Sequence, residues 1–329
     1  MNTKLKKRKT YPQQWVQYNE AQTKEKLLFY KLFDELINII PETKYTFGRP
    51  NKPIRDMMFC CIIKIYSNTS SRRTISDLEL AKKAGYINNV PHFNTLLNYF
   101  NNTSIETLLK YLITVSALPL RNIEETFAID ASGFGNRKFD RWVQDKYRVK
   151  LPNQGKYVKA HVTCGVKTNI VCSAEITEGQ VHDNTQFKSL VTDTSKNFKI
   201  VELVADKGYS SRENMNIVDD LGATPYIPFK SNTTGQPKSS PTWARMFKLF
   251  SYNYEEFARH YHKRSNVEST FSMIKAKFGG FCRSKYFQGQ KNEVLCKILS
   301  HNITCLIHEI FELKIDCDFE ECSKIISAQ

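Results

Sequence analysis

The spacing of hydrophobic positions changes near residue 124. Before it, apolar residues such as Leu28, Leu32 and Leu36 recur at helical intervals, and the chain is predicted to be helical. After it, apolar or alternating runs of strand length occur in "TFAIDASGF", "KYVKAHVTCGV", "NIVCSAEIT", "FKIVELVADKGY" and "ATPYIPF". Helices are predicted on both sides of the fourth run. The order predicts an α/β fold, with a mixed sheet flanked by helices and an all-helical segment before it.

Two aspartates stand at predicted strand ends. The first strand is predicted to end on Asp130 and to break at Gly133, and the fourth to end on Asp206. Functional groups gather at strand ends in α/β sheets, although aspartate is also a common turn residue.

The segment "YHKRSNVESTFSMIKAKFGG" (residues 261–280) is predicted to be one helix. An arc of about 60° contains four of its polar residues, Tyr261, Arg264, Glu268 and Lys275. An adjoining arc contains the apolar residues Val267, Phe271, Ile274 and Phe278. The apolar stripe would attach the helix to a core, with a carboxylate between cations at its edge. A solvated face with weak ion pairs is the alternative.

A helix-turn-helix pattern is present in "TISDLELAKKAGYINNVPHFNTLLNYF". Ser76 and Glu79 form a possible capping box, Gly85 suits the helix end, and Pro91 opens a second helix. A DNA-reading unit would present four residues of that second helix, His92, Asn94, Thr95 and Asn98, beside the basic residues Arg72 and Arg73. An ordinary helical hairpin explains the pattern equally well.

Charge points to a polyanionic partner. The chain has 329 residues, 41% of them hydrophobic, and a net charge of +15. Residues 1–120 hold 18 Lys and Arg against 9 Asp and Glu. This balance is typical of proteins that bind nucleic acid. No apolar run is long enough for a transmembrane helix, and the basic N-terminus lacks the hydrophobic run of a secretory signal, so no membrane partner and a cytoplasmic location are expected.

The nine cysteines form no CxxC pair. Their odd number and spacing predict reduced, mostly buried thiols rather than disulfides or a zinc site.

Three carboxylates, Asp130, Asp206 and Glu268, suit a hard divalent cation if the fold brings them together. Mg²⁺ prefers oxygen ligands, and paired ions promote in-line phosphodiester attack. Arg264 and Lys275 are suited to phosphate recognition.

The chain resembles the DDE transposases of insertion sequences, the IS4/IS5-like group. That group has a signature of Tyr, two residues, Arg, three residues, Glu, six residues, Lys. Residues 261–275 match it at every spacing, and "AIDASGF" and "ADKGYSS" match the two aspartate motifs. The resemblance covers residues 120–310 well and the N-terminal third only in outline.

The resemblance implies an RNase H-like catalytic core in which Asp130, Asp206 and Glu268 are the catalytic residues and metal ligands. It implies Mg²⁺ as the cofactor, with Mn²⁺ able to substitute. Tyr261, Arg264 and Lys275 are then expected to hold transposon-end phosphates. The interval between Asp206 and Glu268 has no room for the β-rich insert of some relatives, so the hairpin-forming chemistry linked to such inserts is not expected.

The predicted organisation has three parts: a basic helical DNA-binding region (1–120), an RNase H-like DDE catalytic domain (121–312) and a C-terminal tail (313–329). The predicted function is a DNA transposase that binds terminal inverted repeats and target DNA as a homodimer. A catalytically inactive or domesticated DNA-binding protein and an RNase H-like nuclease are the alternatives, whereas a glycosidase fits the basic charge poorly.

Two weaker candidates lie nearby. Asp183, beside His182, is interpreted as a helix cap rather than a group behind the metal site. Trp243 is interpreted as core packing rather than a platform for an unpaired base.

Overall fold

The structure, a computed structural model, describes residues 14–41, 52–136 and 157–327; the basic segment 1–10 lies outside the described residues. Helices within these ranges are α1 (Trp15–Asn38), α2 (Ile54–Tyr66), α3 (Ser71–Lys83), α4 (Phe93–Phe100), α5 (Ser104–Ala117), α6 (Phe187–Asn197), α7 (Arg212–Asp219), α8 (Pro241–Tyr252), α9 (Tyr254–Tyr261), α10 (Ser265–Phe278), α11 (Phe287–Glu312) and α12 (Phe319–Ser327). The strands are β1 (Thr126–Gly135), β2 (Tyr157–Gly165), β3 (Val171–Glu178), β4 (Glu202–Ala205) and β5 (Thr224–Tyr226).

The five strands form one mixed sheet in the order β3-β2-β1-β4-β5. The first three are antiparallel neighbours, whereas β4 runs parallel to β1 and β5 parallel to β4. The turn between β2 and β3 contains Asn169 at a positive φ of 62°. The predicted fold class, a mixed sheet flanked by helices behind a helical N-terminal region, is confirmed.

The first strand is longer than predicted. β1 continues to Gly135, so the predicted end at Asp130 and break at Gly133 are wrong. The strand extends further because β2 pairs with β1 from Phe127 to Gly135. In contrast, β4 pairs with β1 only as far as Ile129. Asp130 therefore lies where β1 loses one neighbour and keeps the other.

Helix α11 lies at the centre of the core. It packs against α1, α2 and α5 and against β3, and most of its residues are buried. By length and composition alone it could cross a membrane, but 78% of its most apolar window is buried inside the protein. Its apolar character is therefore that of a core helix, and the N-terminal helices share one continuous core with the sheet.

Helices α3 and α4 match the predicted helix-turn-helix pattern, but the predicted capping box is wrong. The N-cap of α3 is Ser70, whose hydroxyl accepts from the Arg73 N–H, so Ser76 lies inside the helix. The helix starts earlier because Ser71 and Thr74 face the core and extend its buried side. Gly85, at φ 87°, follows the helix end as predicted.

The predicted cap at Asp183 is wrong. Helix α7 is capped by Ser211, whose hydroxyl accepts from the Asn214 N–H at 3.1 Å. Asp183 caps no helix; it lies in a 3₁₀ turn before α6, and its carboxylate pairs with Lys159 at 2.8 Å. That pair links the turn to β2, a tertiary contact that competes with capping.

The cysteines are unpaired and, except for half-buried Cys317, buried, as predicted. Burial raises the pKa of the Cys164 and Cys282 thiols to about 12, so they remain protonated near neutral pH.

Candidate active site

The predicted single helix over residues 261–280 is interrupted. Tyr261 is the last residue of α9, His262–Arg264 form a 3₁₀ turn, and α10 begins at Ser265. The turn is needed because the two helices pack on different strands: α9 contacts β4 and β5, whereas α10 contacts β1. Tyr261 and Arg264 therefore precede the helix that carries Glu268 and Lys275.

The apolar stripe predicted for α10 is confirmed. Val267, Phe271, Ile274 and Phe278 are all buried. Glu268 stands on the exposed side, with 56% of its side chain accessible. The stripe anchors α10 beside β1 and leaves the carboxylate at the edge of the contact.

The guanidinium of Arg264 joins two of the predicted carboxylates. Its Nη1 donates to Asp130 Oδ2 at 3.0 Å, and its Nη2 donates to Glu268 Oε1. Asp130 comes from the middle of β1 and Glu268 from the first turn of α10. One cation thus lies between acidic side chains from two separate elements.

Asp206 is brought alongside by sheet register. Ile129 pairs with Ala205 at the end of the parallel β1–β4 ladder, so Asp130 and Asp206 are the next residues of adjacent strands. Asp206 Oδ1 accepts from the Gly208 N–H at 2.7 Å. A β-carbon at Gly208 would stand 2.8 Å from that oxygen, so a larger residue would displace the Asp206 carboxylate from this position.

The pKa of Asp130 shows that the three carboxylates interact electrostatically. Burial raises the pKa of Asp130, the Ala131 N–H and Arg264 oppose that shift, and Asp206 and Glu268 add to it. Neighbouring negative charges therefore disfavour an additional anion at Asp130 and favour a cation.

The other predicted signature residues lie around this group. Lys275 Nζ donates to Ser132 Oγ at 2.7 Å, and burial lowers the pKa of Lys275. Tyr261 is half-buried, and burial raises the pKa of its phenol. Ser132 was missed by the sequence analysis, although it lies two residues from Asp130 and so on the same strand face.

Buried polar groups lie behind the aspartates. Tyr209 is 1% exposed, and burial raises the pKa of its phenol, with Asp183, Asp130 and Asp206 contributing to the shift. His161 Nε2 lies 2.8 Å from Thr177 Oγ1, and its Nδ1 lies 3.7 Å from the Asp183 carboxylate. Sequence reasoning missed the role of Asp183 because its partners on β2 are joined to it only by tertiary packing.

The predicted DNA contacts of the N-terminal region lie on a different part of the surface. Arg72, Arg73 and Asn94 are exposed on α3 and α4. Arg72 stacks on Phe93 at 4.7 Å. Within the described chain, no hydrogen bond or ion pair connects these three residues with the carboxylates.

Trp243 is a core residue, as interpreted from sequence. It is 5% exposed, and its indole N–H donates to the Thr234 carbonyl at 2.9 Å. The ring is covered by the Arg212 guanidinium at 4.5 Å and is not free to stack on a base.

The family model described as transposase DDE domain matches residues 121–303, more than half of the chain. The chain belongs to this family. It is a DDE transposase, and its matched range contains both aspartates, Glu268 and the five-stranded sheet.

Other comparisons are distant. No curated protein matches the transposase significantly. Among solved structures it is similar to a piggyBac transposase, determined by cryo-EM as a synaptic complex with hairpin DNA. The two are 13% identical, the match covers 91% of this chain and 78% of that chain, and the TM-score is 0.42, too low to support conclusions about partners.

DDE transposases use divalent metal ions, and the donor chemistry here fits such an ion. Asp130, Asp206 and Glu268 offer carboxylate oxygens, the ligands that hard cations prefer. Arg264 already provides positive charge between two of them. Across residues 14–41, 52–136 and 157–327, no three His, Cys, Asp or Glu side chains are arranged to hold a metal together. In this arrangement the Glu268 carboxylate is directed to Arg264.

Proposed function

We propose that the transposase cleaves phosphodiester bonds at the ends of an IS4/IS5-like insertion sequence and joins the freed 3′-hydroxyl to target DNA. Mg²⁺ is the proposed cofactor, and Mn²⁺ substitutes for it. Asp130, Asp206 and Glu268 hold the cation. The observation that carries the proposal is the Arg264 contact with both Asp130 and Glu268 beside Asp206.

The three acids have different environments, which suggests different roles. Asp130 is held by the Ala131 N–H at 2.8 Å, and Asp206 by the Gly208 N–H at 2.7 Å. These bonds orient one oxygen of each aspartate, and the other oxygen of Asp130 accepts from Arg264. Glu268 is exposed and completes the set when it leaves Arg264. A divalent cation bound there would make a water molecule more nucleophilic and stabilise the leaving oxygen.

Phosphate orientation is assigned to Tyr261, Arg264 and Lys275. Arg264 presents a planar fork and Lys275 a point charge, and both suit phosphodiester oxygens. Lys275 is half-buried and is held by Ser132, so its ammonium group has a defined position. A phosphate that draws Arg264 toward itself would release Asp130 and Glu268. DNA binding and metal binding would then reinforce each other.

Residues 1–120 are proposed to bind the terminal inverted repeats, residues 121–312 to carry out the chemistry, and residues 313–329 to form a tail. The exposure of Arg72, Arg73 and Asn94 supports DNA contacts there. Neither arginine forms an ion pair with any described residue. A homodimer acting on DNA in the cytoplasm completes the proposal.

The test uses a labelled duplex that carries the sequence flanking the transposase's own gene, with a supercoiled plasmid as target. The expected result is Mg²⁺-dependent nicking and transfer of the labelled end to the plasmid. Asp130→Asn should abolish both steps while DNA binding persists. Asp220→Asn, at an exposed position of the same domain, is the matched control and should retain activity.

The alternatives give different results. Cleavage at many sequences without joining would identify an RNase H-like nuclease. Binding of the flanking DNA with no metal-dependent product from the wild type would identify an inactive DNA-binding protein.

A further inference from the structure

A cavity of about 240 Å³ lies between the N-terminal helices and the loop that follows α10. Three cations line it: Lys64 from the end of α2, Arg72 from the start of α3 and Arg283 from the loop. Hydroxyl and amide side chains lie between them, including Ser70 and Asn94. None of the described lining residues is acidic. We call this space the Lys64 cavity.

Lys64 is the unusual member of this group. Its side chain is 3% exposed, and it forms no ion pair or hydrogen bond with any residue in the described ranges. The ammonium group lies 4.8 Å from the centre of the Phe100 ring, a contact that only partly replaces water. A buried, unpaired cation is costly.

The buried acid Glu293 is already satisfied by other donors. Glu293 accepts from the Arg283 and Ser284 N–H groups at 3.0 and 2.9 Å. It also lies 3.9 Å from Lys297. Its charge is thus shared by other donors, and no described residue forms an ion pair with Lys64.

The walls of the cavity add further attraction for an anion. Arg72 stacks on Phe93, and Arg283 donates to the Asn68 carbonyl at 2.7 Å, so both guanidinium groups are positioned without a carboxylate partner among the described residues. Ser70 caps α3, a 13-residue helix with no acidic residue in its first turn. The helix dipole therefore adds positive potential at the same place.

We propose that the Lys64 cavity binds a phosphate group, and that its occupant is a phosphodiester of the DNA backbone. This deepens the proposed function and rests on it. The loop that supplies Arg283 is bonded to the catalytic strand: the Gly135 N–H donates to the Gly280 carbonyl at 3.1 Å, and the Cys282 N–H to the Gly135 carbonyl at 2.7 Å. A phosphate here would fix DNA at the junction of α3, α4 and β1.

The test measures the binding of a fluorescently labelled random-sequence duplex over a series of salt concentrations. Each phosphate contact contributes a slope of about 0.9 to log K against log salt. Lys64→Met should lower the slope by about that amount, and Arg283→Gln should also lower it. Lys324→Met, at an exposed position of α12, is the control and should leave the slope unchanged. The melting temperature of free Lys64→Met should equal or exceed that of the wild type, because an unpaired buried charge is removed.

A second arm replaces DNA with inorganic phosphate and follows the melting temperature. An unchanged salt slope in both Lys64→Met and Arg283→Gln would overturn the proposal. If inorganic phosphate stabilises the wild type but not Lys64→Met while the DNA slopes agree, the site binds free phosphate and the DNA assignment is wrong. Failure of the proposed function is distinguishable, since DNA would then bind with the expected slopes but would be neither cut nor joined.

Discussion

Arg264 and Asp130 are hydrogen-bonded at 3.0 Å although 134 residues separate them along the chain. The same guanidinium also holds Glu268, one turn further along the chain. Removing it would leave Asp130, Asp206 and Glu268 close together without a cation, and like charges repel.

Arg264→Ala is therefore expected to lower the free energy of unfolding by about 1–3 kcal/mol when divalent cations are absent. Mn²⁺ should then raise the melting temperature of this variant more than that of the wild type, because metal takes over the neutralisation. Denaturant titration with and without Mn²⁺ measures both effects. Arg264→Lys keeps the charge, so its stability should lie between those of the wild type and Arg264→Ala. Equal stability and equal Mn²⁺ response in the wild type and Arg264→Ala would refute the interpretation.

Glu25 connects the N-terminal helices to α10. It is 7% exposed, accepts from the Tyr66 hydroxyl of α2 at 2.7 Å, and pairs with Lys277 of α10. Glu25→Gln should cost about 1–3 kcal/mol, because Lys277 loses its partner in a partly buried place. Glu35→Gln, at a half-exposed position of the same helix, should change stability by less than about 0.5 kcal/mol. Similar losses of stability in both variants would show that the Glu25–Lys277 contact is unimportant.

Gly165 allows the β2–β3 turn to approach Glu124. The Glu124 carboxylate is fully buried and accepts from the Thr168 N–H at 2.7 Å, and a β-carbon at Gly165 would overlap it. Gly165→Ala should therefore destabilise the protein by about 1–3 kcal/mol. Gly280→Ala, where the nearest side-chain atom is 3.6 Å from the added carbon, is the control. If Gly165→Ala left the free energy of unfolding in urea unchanged, this account would be contradicted.

The pH dependence of folding stability should reflect two buried histidines. Burial lowers the pKa of His301 to about 4, and its Nε2–H donates to the Asn169 carbonyl at 2.9 Å. Burial also lowers the pKa of His161 to about 4. The unfolded chain then takes up protons near pH 6.5, before the folded protein does, so stability falls as the pH drops from about 6.5 to 4.

Each such histidine contributes up to about 1.4 kcal/mol per pH unit in that window. His301→Gln keeps a donor for the carbonyl and should flatten the acid side of the stability curve. The measurement is urea unfolding at several pH values. An equally steep curve in wild type and variant would exclude His301 as a contributor.

Much of the candidate site could be predicted because its signals are local. The spacing of Tyr261, Arg264, Glu268 and Lys275 is a property of consecutive residues, and the turn after Asp206 is indicated by Gly208. The buried face of α10 follows from helical periodicity. These features depend on backbone geometry over a few residues, and the types and spacing of those residues indicate that geometry directly.

Other features depended on neighbours that the local pattern does not contain. Asp130 lies within β1 rather than at its end because β2 extends the pairing beyond it. Asp183 pairs with Lys159 instead of capping a helix, since β2 brings that lysine within reach. The break between α9 and α10 arises because the two helices pack on different strands.

The sequence by itself determined the order of elements, the basic character and which residue types could hold metal and phosphate. The tertiary structure decided which of them meet: Arg264 with two acids, Lys275 with Ser132, and the buried Lys64 with two arginines around one cavity. The physical reason is the sequence distance over which each factor acts. Helical and strand periodicity act within about ten residues, whereas sheet register and helix packing join positions more than a hundred residues apart.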